Sequence, residues 1–182
     1  MKRFIVTGGY GFIGSSLIKL LLKKKFSVLN LDKLSYSAQK YNLKDVKSKN
    51  YSFKKVDINN KKEIIKILKK YKPHGIFNLA AETHVDRSIE GSFNFIKNNI
   101  LGVYNLLEAI KDYNKKTRLI HISTDEVYGD IKDPLKSSEN FPYTPSSPYS
   151  ASKASSDHLV NAYVRTYKID AVISNCSNNY GP

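Results

Sequence analysis

Apolar positions along the chain come in two forms, short solid runs and longer stretches with a helical period, and their alternation predicts the architecture. Arg3 to Thr7 is a solid run; after a glycine-rich turn, Ile13, Leu17, Leu20 and Leu21 recur at helical spacing within 12–24. Phe26 to Leu31 predicts a second strand ending at Asp32, and Tyr51 to Val56 a third ending at Asp57. Glu63, Ile64, Ile67, Leu68 and Tyr71 predict a helix stopped by Pro73, and Gly75 to Leu79 a fourth strand. Ile96, Ile100, Val103, Leu106, Leu107 and Ile110 mark one long amphipathic helix. Leu119 to Ser123 follows as a fifth strand, Tyr149 to Tyr167 as a helix and Ala171 to Asn175 as a sixth strand.

Strands alternating with helices of this length require right-handed crossovers, so the predicted fold is α/β, a doubly wound parallel sheet of the Rossmann type, in one domain over residues 1–182. In such a sheet ligands bind at the C-terminal strand ends, where Asp32, Asp57, Ala80, Thr124 and Asn175 fall. The stretch 130–147, rich in Pro and Ser, has no helical period and is expected to be an active-site flap.

Composition changes this picture little. Hydrophobic residues make up 41% and charged residues 25%, an ordinary globular balance, and no apolar run approaches the ~20 residues of a membrane span. Met1-Lys2-Arg3 precedes an apolar run broken at Thr7-Gly8-Gly9, too early for a secretory signal. The single Cys176 has no internal disulfide partner, which fits a reducing cytoplasm. The net charge of +14 raises nucleic-acid binding, but the lysines are scattered in pairs and triplets such as Lys23-Lys24-Lys25 and Lys69-Lys70, without an aromatic-interleaved stripe. They are expected to be solvated surface.

The candidate chemistry begins at Gly8-Gly9-Tyr10-Gly11-Phe12-Ile13-Gly14. Its glycines permit a tight turn and close backbone approach to a pyrophosphate resting on the helix N-terminus. Asp32, roughly 20 residues on, suits a ribose-binding carboxylate and favours NAD over NADP; Lys33 beside it works against that preference. Tyr149 and Lys153 lie one helical turn apart, behind Ser146 or Ser147 as cap and Pro148 in the first turn. The lysine, with a cationic nicotinamide, is expected to lower the tyrosine pKa so that the phenolate can take a hydroxyl proton. Thr124-Asp125-Glu126 adds adjacent carboxylates at the fifth strand's end, where like charges push pKa values apart. His74, His84, His121 and His158 lack metal-ligand spacing and are expected to be structural or on the surface, and no metal is expected.

Together these residues resemble the extended short-chain dehydrogenase/reductase family and, within it, the nucleoside-diphosphate-glucose 4,6-dehydratases, whose best-known substrate is dTDP-glucose. The resemblance rests on the glycine loop, Asp32-Lys33-Leu34, Asp57-Ile58, the run from Leu79 to Ser88, Thr124-Asp125-Glu126-Val127-Tyr128-Gly129, the segment 146–159 and the segment 175–182. It implies a net dehydration. Tyr149 takes the C4 hydroxyl proton while hydride passes to NAD, Thr124 bonds that oxygen and Lys153 holds the ribose. Glu126 then removes the C5 proton, Asp125 protonates the departing C6 hydroxyl and the hydride returns. By the same resemblance Gly8, Gly11, Phe12, Ile13, Gly14, Asp32, Lys33, Asp57, Ile58, Leu79, Ala80, Ala81, Thr83, Asn98 and Asn178 would line the NAD site with Tyr149 and Lys153. Thr83 and Asn179 would touch the sugar nucleotide together with Thr124, Asp125 and Glu126. A homodimer through a four-helix seam of the helices around 98–111 and 149–167 is implied as well. Family members continue past the Asn-Tyr-Gly-Pro run into a portion that supplies most of the sugar-nucleotide pocket, so the C-terminal substrate portion is expected to be missing here. A 4-epimerase or decarboxylase of the same family, or a truncated NAD-binding relative without turnover, are the competing readings.

Overall fold

Strand β1 (Arg3–Thr7) turns its successive side chains to opposite faces, and that alternation divides the molecule into two cores. The computed structural model describes residues 1–181. Ile5 packs with Leu31, Ile76 and Leu119 against helices α2 (Lys61–Tyr71), α5 (Gly102–Tyr113) and α6 (Pro148–Tyr167). Val6 packs with Val28 on the other face, under Ile18 and Leu21 of α1 (Phe12–Lys23). The remaining strands are β2 (Ser27–Asp32), β3 (Tyr51–Lys55), β4 (Gly75–Asn78), β5 (Arg118–Thr124) and β6 (Ala171–Cys176). All pair in parallel in the order β3-β2-β1-β4-β5-β6, so the chain reverses its direction of travel at β1, between β2 and β4. This is the doubly wound arrangement expected from the alternating pattern, and its crevice lies above β1 and β4.

Element ends follow local chemistry. Asn60 caps α2, its Oδ1 accepting from Glu63 N at 3.1 Å, so the helix starts at Lys61, two residues before Glu63, where the sequence pattern begins. β5 runs one residue beyond its predicted end, so Thr124 is its last residue. Short elements outside the prediction include a 3-10 turn over Lys40–Leu43, α3 (Val85–Glu90) and a 3-10 turn over Asp125–Tyr128.

The long helix predicted through Ile96 is not one helix. A single α turn, α4 (Phe93–Phe95), leads into a π-helical segment, Ile96–Leu101, and only then into α5. Within this wider turn the adjacent Asn98 and Asn99 are both buried. The stretch 130–147 contains no helix or strand, as expected, but its second half is pinned. Thr144 donates from N to Val127 O at 3.0 Å and from Oγ1 to Tyr128 O at 2.6 Å, and Tyr143 stacks edge-on against Tyr128. Among the described residues no helix is long and apolar enough to cross a membrane.

Candidate active site

Where β1 gives way to α1, Gly8 adopts φ +67°, and a Cβ there would come within 2.9 Å of Ala80 N and Leu79 O on the neighbouring strand exit. At Gly14 a Cβ would lie 2.4 Å from Gly8 O. The loop is thus folded tightly against its own helix. The cap position of α1, Gly11, carries no side chain to bond the first amides, so they face outward over the crevice. Asp32 is aimed from the end of β2, with Oδ2 accepting from Tyr10 N at 3.0 Å and Oδ1 from Leu34 N at 2.8 Å. Exposed amides at a helix start and a carboxylate across from them fit the pyrophosphate and ribose of a dinucleotide.

The crevice is a cavity of about 500 Å³. Its walls include Gly8, Gly11, Phe12, Ile13, Gly14, Asp32, Lys33, Asp57, Ile58, Leu79, Ala80, Ala81, Thr83, Asn98 and Asn178. Thr124, Glu126, Tyr149, Lys153 and Asn179 lie on the same surface. Asp125 does not. Its Oδ1 accepts a hydrogen bond from Thr124 Oγ1 at 3.3 Å, outside the cavity wall. Ser35, Ser37, His84, Cys176 and Ser177 also line the cavity and were not singled out by the motifs. Ser35 and Ser37 had no signal in sequence beyond their position after β2, whereas His84, Cys176 and Ser177 fell within the runs 79–88 and 175–182 without being assigned to the site.

Helix α6 delivers the tyrosine and lysine. Ser147 Oγ accepts from Ser150 N at 3.0 Å while Ser150 Oγ accepts from Ser147 N at 2.9 Å, a reciprocal cap that starts the helix at Pro148. Tyr149 and Lys153 are then buried one turn apart. Tyr149 N donates to Ser88 Oγ at 3.1 Å, tying the helix start to α3.

The electrostatics differ from expectation. Burial, then the Glu126 carboxylate, pushes the Tyr149 hydroxyl up to about 12, with a hydrogen bond to Thr124 working the other way. Lys153 is not among the groups that act on it, because its ammonium donates to Ile122 O at 2.7 Å. Burial also lowers Lys153 to about 8. The expected depression of the tyrosine by the lysine is therefore absent from the protein's own charges. Glu126 is raised as well, by burial first and Asp125 second.

Behind the site lies a polar core. His121 is fully buried, with Nδ1 3.0 Å from Asn78 Nδ2 and Nε2 3.2 Å from Ser156 Oγ. Asp157 Oδ2 accepts from Ser123 Oγ at 2.6 Å and from Tyr143 Oη at 3.2 Å. Ser156 and Asp157 approach the same ring nitrogen of a histidine with no exposure, so the three cannot work as a nucleophilic triad. Across the crevice, Glu82 Oε1 accepts from Lys33 Nζ at 3.3 Å and from Asn98 Nδ2 at 3.0 Å. Asn99 brackets the Glu82 backbone, accepting from its N at 2.8 Å and donating to its O at 2.9 Å. Among the described residues no cluster of three or more His, Cys, Asp or Glu side chains is placed to hold a metal ion.

A parallel sheet wound in both directions, with a glycine loop opening its first helix, defines the Rossmann class of nucleotide-binding folds. Residues 5–182 match the model of the family described as GDP-mannose 4,6 dehydratase, and the chain belongs to that family. It is 47% identical over 194 residues to the dTDP-glucose 4,6-dehydratase of Neisseria meningitidis serogroup B, covering 100% of this chain and 54% of that protein. With the dTDP-glucose 4,6-dehydratase of Haemophilus influenzae the identity is 50%, over 100% of this chain and 57% of the relative. The chain thus spans about half the length of these curated relatives. The crystal structure of the Streptomyces venezuelae dTDP-glucose 4,6-dehydratase with NAD and TYD bound superposes with a TM-score of 0.93 at 41% identity, over 99% of this chain and 57% of that one. A Thermus thermophilus UDP-glucose 4-epimerase in complex with NAD gives 0.86 at 32%, over 95% of this chain and 54% of the other.

Proposed function

We propose that residues 1–182 form the NAD-holding and catalytic domain of a nucleoside-diphosphate-glucose 4,6-dehydratase, with dTDP-glucose as the preferred substrate. The observation that carries this reading is that one cavity wall joins buried Tyr149 and Lys153 to Thr124 and Glu126, beneath a glycine loop and Asp32. NAD, when bound, supplies reversible hydride transfer. Tyr149 Oη takes the C4 hydroxyl proton, and Thr124, on the same cavity wall, orients that oxygen. A tyrosine held near 12 needs a cation beside it to act as a base at neutral pH, and Lys153 turned from Ile122 O toward the ribose is in place to help. Glu126, with its carboxyl raised by burial and by Asp125, takes the C5 proton. Asp125 protonates the departing C6 hydroxyl only after its side chain leaves Thr124. Thr83 and Asn179 face the sugar nucleotide.

A homodimer and a cytoplasmic location belong to the same reading. Leu101 and Tyr104 leave 48% and 42% of their surface exposed on the helical face proposed as the seam, which supports pairing with a second copy. Cys176, the sole cysteine, supports the reducing compartment.

The deciding experiment supplies dTDP-glucose and NAD in deuterated water and follows C5 exchange and the 4-keto-6-deoxy product by NMR. Glu126→Gln should retain NAD binding and C4 oxidation while C5 exchange falls by roughly 100-fold or more. Exchange at an undiminished rate would remove Glu126 from the role, and product that keeps its C6 hydroxyl would replace the dehydratase by an epimerase.

A further inference from the structure

Asp32-Lys33 is ambiguous toward the two dinucleotides. A carboxylate at the end of β2 repels a 2′-phosphate, but a cation in the next position attracts one. The folded chain sends that cation elsewhere. Lys33 Nζ donates to Glu82 Oε1 at 3.3 Å, with Glu82 almost buried and the lysine side chain 33% exposed. Glu82 is itself immobilised. The same oxygen accepts from Asn98, and the Glu82 peptide is bracketed by Asn99. Asp32 meanwhile holds its position through the amides of Tyr10 and Leu34 and needs nothing from Lys33.

We propose that Glu82 is a specificity-determining residue for the dinucleotide: it holds Lys33 away from the ribose carboxylate, so a 2′-phosphate arriving beside Asp32 meets negative charge without a compensating ammonium. The inference rests on the NAD reading above. It concerns a residue that touches no reacting atom and acts through Lys33.

Calorimetric titration of the chain with NAD and with NADP tests it without any need for turnover. Glu82→Gln keeps the acceptor for Asn98 and the side-chain volume but releases the lysine. NADP should then bind roughly tenfold tighter, with NAD changed less than about twofold. In the double variant Lys33→Ala/Glu82→Gln the NADP gain should vanish. Should Glu82→Gln fail to fold, Lys33→Ala alone decides: with the ammonium already withdrawn, NADP affinity should move less than about threefold. An unchanged NADP to NAD ratio in Glu82→Gln, a gain that survives loss of Lys33, or a large NADP loss in Lys33→Ala would each overturn the proposal while leaving NAD binding intact. Failure of the unaltered chain to bind either dinucleotide would instead overturn the NAD reading, and the inference with it.

Discussion

Burial, with the Lys153 ammonium as the second cause, holds the His121 imidazole down at about 4 against an ordinary 6.5. The unfolded chain takes up this proton near 6.5 and the folded chain only near 4, so acidification through that window favours unfolding. Stability present above the upper value is lost as the pH falls toward the lower, by about 3 kcal/mol in all. Urea melts from neutral pH down to about 4 should show this acid slope, and His121→Asn, which keeps an amide toward Asn78, should flatten it by that share. An identical slope in the variant would assign the acid sensitivity to other groups. The same low-dielectric surroundings explain why the tyrosine and lysine titrate against expectation. Spacing along a helix reveals that Tyr149 and Lys153 share a face, but not that a carbonyl of β5, 31 residues away in sequence, captures the ammonium first.

The π segment Ile96–Leu101 is the element whose removal the site would feel most. Asn99→Ala would leave the Glu82 N–H and C=O unpaired in a buried place, at about 1–3 kcal/mol for each. A drop of that size in the urea midpoint, with the dinucleotide affinity falling alongside, is expected; a loss under about 1 kcal/mol would mean that water replaces the amide. At the start of α6, Ser147→Ala should cost about 1 kcal/mol, read from the same melts. Strands and caps were legible in the sequence because their signals are local. β1, with its solid apolar run, was bounded correctly, and Ser146 or Ser147 before Pro148 marked the start of α6 to within one residue, with Ser147 the cap. The π segment was hidden because Ile96, Ile100 and Val103 keep a helical rhythm whatever hydrogen-bond spacing joins them. α3 was hidden because Val85 and Ile89, though at helical spacing, are only two aliphatic positions in six residues, too few to establish a period. Of the site, the glycine loop, Asp32 and the Tyr149/Lys153 pair could be read, since each is a short-range pattern. The Lys33–Glu82 pair spans 49 residues and the Asn78–His121 pair 43, distances over which one sequence carries no pairing signal.

At the scale of the whole molecule, the exposed apolar face around Leu101 predicts concentration-dependent self-association. Leu101→Glu should move sedimentation toward the monomer, whereas the same boundary in variant and parent would exclude that face as the seam. The two outer strands of the described sheet are guarded unequally. β3 ends in Lys54 and Lys55, whose charges oppose the docking of a foreign strand. β6 reads Ala-Val-Ile-Ser-Asn-Cys, without a charge, and leaves Val172 46% exposed. In the sheet as described, its outer row of amides and carbonyls is open to a further strand, whichever segment supplies it. When residues 1–182 are expressed alone, light scattering on mild heating should rise with their concentration, and Val172→Lys should delay its onset by arming this edge as β3 already is.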